Sequence, residues 1–226
     1  MIGAKSELRD TVLGRPCHIV VDDCDGQGEE LVATGFAELQ RLTAKFSSSH
    51  PDSIISRLNT SAGSTELVAL DAESRSLFQY VTAVWEQSRH MFDPSSRILS
   101  DCYQGKSSAD GIDKLLSNRL GLVGWAKLEI GEEGARLPER GMSIDLNSCI
   151  RPYALDRTCK LLKALGATNA LVDLDTDIAS VGRQPDGANW LVGIRHPHGN
   201  RTAITRIKLN DNGYAIRGDF DNPLMF

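Results

Sequence analysis

The stretch Ser143-Ile-Asp-Leu-Asn-Ser-Cys-Ile-Arg-Pro-Tyr-Ala-Leu-Asp156, followed by Arg-Thr-Cys-Lys-Leu-Leu-Lys-Ala-Leu-Gly166, decides how this chain is read. A short apolar run feeds a polar loop, and the loop opens a helix whose apolar positions Leu155, Cys159, Leu162 and Leu165 fall near helical spacing. Gly166 stands where a helix C-terminus takes a residue tolerant of left-handed backbone. A loop that ends at a helix N-terminus offers several free N–H groups pointing one way, and so a place for an anion.

Working outward, residues 169–174 and 189–195 read as strands, and 202–209 alternates with Ala203, Ile204, Ile207 and Leu209 as its apolar members. Upstream, 16–23 reads as a strand ending in a turn rich in Asp and Gly. Apolar residues three and four apart predict a helix over 29–46. Pro51 breaks the polar loop that follows, and 53–59 reads as a short helical turn capped by Asp52 or Ser53. A helix is expected over 71–90, ended by Met91-Phe-Asp-Pro94, because the residue before proline leaves helical geometry. A shorter helix is expected over 110–119, a strand over 125–130, and a turn at 132–134 leading into 135–137. No repeat, low-complexity segment or linker divides the chain, which predicts one α+β domain over 1–226, with an antiparallel-rich sheet and packed helices.

A chain of 226 residues, 41% apolar and 24% charged, buries a core without staples. Its net charge of −5 argues against a nucleic-acid or anionic-membrane partner, which wants a basic face. Cys17, Cys24, Cys102, Cys149 and Cys159 are odd in number and form no CxxC pair, so free thiols are expected rather than zinc or a redox motif. Cys149 lies inside the central loop with no base beside it in sequence, so no catalytic nucleophile is assigned. No apolar run approaches the length of a transmembrane helix, and the start has neither a signal-peptide nor a lipoprotein pattern, so the chain as written reads as cytoplasmic.

The residues also have a collective order. Phe46-Ser, Pro51-Asp-Ser-Ile-Ile-Ser-Arg-Leu-Asn59, Phe92-Asp-Pro94, Ile144-Asp-Leu, Tyr153-Ala-Leu-Asp156, Ala170-Leu-Val-Asp-Leu-Asp-Thr-Asp-Ile178, Gly182 and Trp190-Leu-Val-Gly-Ile-Arg-His-Pro197 follow one another at spacings that resemble the ApbE family. The resemblance runs from about residue 14 to about residue 219. Members of that family are FAD:protein FMN transferases, once called thiamine-biosynthesis lipoproteins and often exported. The resemblance implies FAD in a cleft beside the central loop, and a magnesium ion that helps move FMN onto a Ser or Thr hydroxyl of a target protein, with release of AMP. It implies flavin-site roles for Met91, Phe92, Asp93, Asp145, Arg151 and Tyr153, and metal ligation by Ser148 and Asp177.

The departures are concentrated in the loop. The family form is Asp-Leu-Gly-Gly-Ile-Ala-Lys-Gly-Tyr-Ala-Val-Asp; here Asp145, Leu146, Tyr153, Ala154 and Asp156 keep its frame, while Asn147, Ser148, Ile150, Arg151 and Pro152 replace its small, flexible interior. Proline suits a first helical turn, so the fold is expected to survive with one N–H donor fewer. Further on, Asp173, Asp175 and Thr176 depart from the family's Asn-x-Gly-Gly-Asp while Asp177 matches it. Three carboxylates at alternate positions of one strand would share a face and repel unless paired or metal-bound. The aromatic usual at the position of Ser49 is missing, and His50, His196 and His198 read as turn residues. Ala215-Ile-Arg-Gly-Asp-Phe220 is the trace of a later family segment, and the late metal ligands are expected to be absent. Three functions follow from the resemblance: a transferase with a variant site of Asp145, Ser148, Arg151 and Asp177; a non-catalytic relative serving as an accessory or partner subunit; or another nucleotide enzyme on the same scaffold.

Overall fold

Nine strands and six helices carry the described residues of the computed structural model, namely 4–12, 14–23, 26–103, 109–195 and 203–216. Internal contacts gather them into two compact units, one from Met1–Thr43 and Arg151–Phe226, the other from Ala44–Ile150.

The first unit is built on a five-stranded antiparallel sheet. Strands β1 (Ala4–Val12) and β2 (Arg15–Asp23) form a hairpin with Val12 opposite Arg15, and Gly14 takes the left-handed turn conformation at φ +67°. The order then runs β1-β2-β5-β6-β9, where β5 is Ala170–Leu174, β6 is Asp177–Val181 and β9 is Gly213–Ala215. Pairing of Ile19 with Val172 and Val172 with Ala179 puts Ile19, Val21, Ala170, Val172, Leu174, Ala179 and Val181 on one buried face. Helices α1 (Gly28–Phe46) and α6 (Asn147–Ala164) meet that face at Gly35, where a Cβ would stand 3.3–3.4 Å from Leu162, Ile19 and Thr158. A mid-helix glycine costs about 1 kcal/mol against alanine, and here it permits the close approach of two helices and a strand.

The opposite face carries Val20, Leu171 and Ile178. It is covered by the two-stranded ribbon of β7 (Trp190–Arg195) and β8 (Ala203–Leu209), whose Trp190, Val192 and Leu209 complete a separate apolar cluster. Gly182 ends β6 at φ +56°, and a Cβ there would overlap the Thr168 carbonyl oxygen, so the bend requires glycine.

In the second unit, α2 (Ile54–Thr60) starts at Ser53, whose Oγ accepts from the Ser56 N–H at 2.9 Å. Helix α3 (Ala72–Gln87) starts at Asp71, whose carboxylate accepts from Ser74 N–H and Oγ and from Lys45 Nζ at 2.6 Å. Those donors hold the Asp71 carboxyl well below its ordinary range, the Lys45 bond first among them. The two short helices α4 (Arg97–Ser100) and α5 (Ala109–Leu120) and a small hairpin of β3 (Glu129–Ile130) and β4 (Ala135–Arg136) complete the unit. Its core includes Ile55, Leu58, Leu77, Phe78, Val81, Leu137, Ile144 and Leu146, with Phe78 edge-on to Trp125 at 5.9 Å.

The α+β reading holds, and several boundaries move. Helix α3 stops short of the expected His90, because Arg89 and His90 take left-handed φ of 53° and 66° and the His90 ring stacks on Trp85. The strand expected over 125–130 shrinks to β3, because Trp125–Lys127 forms a 3-10 turn. The larger correction is at the central loop, which is already helical from Asn147. Pro152 therefore lies inside α6 rather than in its first turn. Asn147 and Ser148, unlike glycine, carry no excess backbone entropy into a helix. The helix bond lost at Pro152 would have gone to the carbonyl of Ser148, an exposed residue.

Candidate functional site

Asp93 follows the left-handed pair Arg89 and His90, which turns the chain sharply after α3. Its carboxylate accepts from the Ser95 N–H at 2.8 Å and Ser95 Oγ at 2.5 Å, and from the Trp125 N–H at 3.0 Å and Trp85 Nε1 at 3.3 Å. Ser95 Oγ in turn accepts from the Gly124 N–H at 2.7 Å. Asp93 is thus a structural hub that ties the loop at 124–125 to the turn at 93–95. Phe92 beside it is half-buried, while Met91 is 87% exposed, next to the stacked Trp85–His90 pair with centroids 3.7 Å apart. The turn therefore leaves an apolar thioether in solvent.

Asp145 lies in the same unit. Its Oδ1 accepts from the Asn147 N–H at 2.8 Å, satisfying one of the donors at the start of α6, and its Oδ2 accepts from Arg97 Nη1 at 2.8 Å. The Asp145 side chain is only 11% exposed, so this arginine is its counter-ion. Ser148 is exposed in the first turn of α6. Cys149 is buried, and burial pushes its thiol up to about 11, far from a reactive thiolate. Cys17, Cys102 and Cys159 are free thiols too, and Cys24 lies outside the described residues. Ser49 sits in the turn after α1, its N–H donating to Ser47 Oγ at 3.2 Å.

In the other unit, α6 carries Arg151 and Tyr153, both half-buried. The β5–β6 hairpin has Leu174 opposite Asp177, with Asp175 and Thr176 as its loop. Asp175 holds φ +64° without glycine's freedom, at a position where the family form has glycine. Asp177 is 1% exposed, and its Oδ2 accepts from Thr176 Oγ1 at 3.2 Å and lies 3.7 Å from Arg151 Nη1. Arg151 Nη1 also donates to Thr176 Oγ1 at 3.4 Å. A cleft of about 300 Å3 opens beside them, lined in part by Pro152, Asp156, Asp177 and Tyr214.

The three carboxylates do not share a face. Leu174 shares its side of the sheet with Asp177, whereas Asp173 pairs with Ile178 on the other side. The hairpin bend between them, unread in the sequence, sends the two carboxylates to opposite faces. Among the described residues no group of three or more His, Cys, Asp or Glu side chains is gathered for a metal ion. The Asp177 carboxylate is flanked by the Arg151 guanidinium at 3.7 Å, where the family form has lysine, and magnesium would need open oxygen ligands beside it. Sequence reasoning missed Arg97, because its partner is 48 residues away and nothing in its local pattern marks it. His196, His198 and the segment after Ile216 lie outside the described residues, as does any late metal ligand there.

A sequence model of the ApbE family matches residues 13–222. The chain is 24% identical over 194 residues to the FAD:protein FMN transferase of Haemophilus influenzae, covering 81% of this chain and 56% of that protein. It is 25% identical over 186 residues to the FAD:protein FMN transferase of Treponema pallidum, covering 73% of this chain and 50% of that one. It therefore spans about half the length of these curated relatives. Among solved structures, the ApbE protein of Thermotoga maritima superposes with a TM-score of 0.81 at 23% identity, over 93% of this chain and 69% of that one. The flavin transferase ApbE of Vibrio cholerae superposes with a TM-score of 0.83 at 19% identity, over 96% and 72%. At such identities the superpositions speak for the fold.

Proposed function

Because this chain belongs to the ApbE family, we propose that it binds flavin adenine dinucleotide on the family framework and transfers FMN from it weakly or not at all. One observation carries the reading: two of the acidic positions that match the family, Asp145 and Asp177, already have arginines beside them, Arg97 at 2.8 Å and Arg151 at 3.7 Å.

Transfer would form a bond from a Ser or Thr hydroxyl oxygen of the acceptor to the FMN phosphorus. It would break the bond to the AMP oxygen, release AMP, and send the hydroxyl proton to a base. Charge then grows on the leaving phosphate, and only interactions stronger in that state than in the ground state speed the step. An arginine already balanced by a carboxylate adds little as that charge grows, so the ground-state complex is tolerated and the chemistry is not driven. For the ligand itself, exposed Met91, which follows His90 of the Trp85–His90 stack in the chain, offers an apolar contact for a planar ring, and the next residue, Phe92, is half-buried. Arg151 and Tyr153 are the α6 residues assigned to the nucleotide, and the acceptor is a protein hydroxyl.

The test is incubation of the purified chain with FAD and an acceptor protein, followed by intact-mass analysis of the acceptor and assay of AMP. Bound FAD with labelling far below one FMN per acceptor is expected, and would assign the chain an accessory role. Rapid stoichiometric labelling overturns the reading.

A further inference from the structure

We propose that the free edge of β8 docks an extended segment of a partner protein, a strand in which an acidic, an apolar and an acidic residue follow one another. The proposal does not rest on the flavin reading, and it concerns the ribbon on the sheet face away from α1 and α6.

Residues 187–210 hold Arg195, Arg201, Arg206 and Lys208 and no Asp or Glu, in a chain of net charge −5. Pairing of Trp190 with Leu209 and of Val192 with Ile207 turns those four side chains towards the main sheet. Arg206 and Lys208 alternate with them and face solvent, Lys208 opposite Leu191, which is 55% exposed, and Arg206 opposite Gly193. Neither base has an acid across the ribbon, and among the described residues neither side chain has an ion-pair or hydrogen-bond partner.

The ribbon has two strands, so β8 also presents, among the described residues, an edge of main-chain N–H and C=O groups with no strand beside it. A strand added there supplies those hydrogen bonds and sets its side chains roughly 4.5–5.5 Å from their neighbours on β8. Acidic residues then stand opposite Arg206 and Lys208, and the residue between them lies against half-buried Ile207, at the margin of the apolar cluster. A second copy of β8 is disfavoured at this edge, since antiparallel pairing about Arg206 would put like charges together. An anionic membrane or a nucleic acid asks for a broad basic face, whereas Arg206 and Lys208 flank an apolar residue on one strand of an acidic chain.

Fluorescence anisotropy of a labelled peptide, Thr-Thr-Glu-Val-Glu-Thr-Thr, titrated with the full chain tests this. Saturable binding below about 1 mM is expected, weakened about tenfold or more by Arg206→Glu with Lys208→Glu, and also by 1 M salt, which screens charges beyond about 3 Å. The peptide with lysine in place of both glutamates should ignore the wild type and bind the charge-reversed chain. N-methylation of alternate peptide residues, in one of its two phases, should abolish binding, because a methylated amide cannot donate to the β8 edge. Both substituted positions are exposed, so the charge-reversed chain should melt with the wild type; if it does not fold, Arg206→Gln with Lys208→Gln serves in the same titration. No saturable binding to the wild type, equal binding to the variant, or indifference to both methylation phases overturns the proposal. So does tighter binding to phosphatidylglycerol vesicles or to a DNA oligonucleotide that the same variant loses, which would assign the bases to a membrane or a nucleic acid. No flavin is present, so the outcome leaves the transferase reading where it stands.

Discussion

Asp173 and His18 stand opposite one another in register across β5 and β2, on the sheet face away from α1 and α6. One Asp173 oxygen is buried with no hydrogen-bond partner among the described residues. Burial pushes this carboxyl up to about 6 from an ordinary 3.8, with Asp175 adding to the rise and His18 opposing it. A folded-state value above the unfolded one means that the folded protein holds the proton more tightly. The group therefore favours the fold as pH falls from about 6 towards 4, and disfavours it above 6. Asp173→Asn should raise stability by about 1 kcal/mol at pH 7.5 and by roughly a third of that at pH 4.5, read by denaturant midpoints at the two values. A gain equal at both would contradict the assignment. Little of this was legible from residues alone. Asp173, Asp175 and Asp177 look like a cluster in the sequence, and only the hairpin bend after Leu174 separates the outer two. Asp177, by contrast, stands out in the sequence because it keeps the family pattern and Arg151 because it departs from it, and the structure brings the two to 3.7 Å.

At the scale of elements, the helix around Pro152 is the feature the sequence concealed. Proline usually marks a first turn or a stop, so the loop was read as running to it; the structure winds α6 five residues earlier, from Asn147. Helices α1 and α3 were legible from periodicity, since their buried residues repeat at three and four. Strand β1 was not, because Ser6 and Asp10 break the apolar face of Leu8 and Val12, while Lys5, Glu7 and Arg9 on the other face suit a charged edge strand that discourages pairing with other chains. Strand β9 was missed because three residues carry no period. Pro152→Ala restores a donor for the Ser148 carbonyl, against an interior-proline cost of about 3 kcal/mol and a gain in unfolded-chain entropy of about 1. A net gain of about 1–2 kcal/mol is expected, seen as a rise of roughly 3–6 °C in melting temperature. A fall would mean that the proline ring's packing in α6 outweighs the missing bond.

At the scale of the molecule, each unit holds part of the family frame. One contains the Asp93 hub and the Arg97–Asp145 pair; the other contains Arg151, Thr176 and Asp177. The fold was legible because its framework residues recur in order along nearly the whole chain. The electrostatic state of the site was not, because each decisive contact joins residues distant in sequence. Titration of FAD into the purified chain, followed by flavin fluorescence with magnesium and again with EDTA, tests the flavin reading most directly. Saturable quenching with a dissociation constant on the order of 10 μM, equal under both conditions, is the expected result. No change at that concentration, or binding that appears only with magnesium, would contradict it.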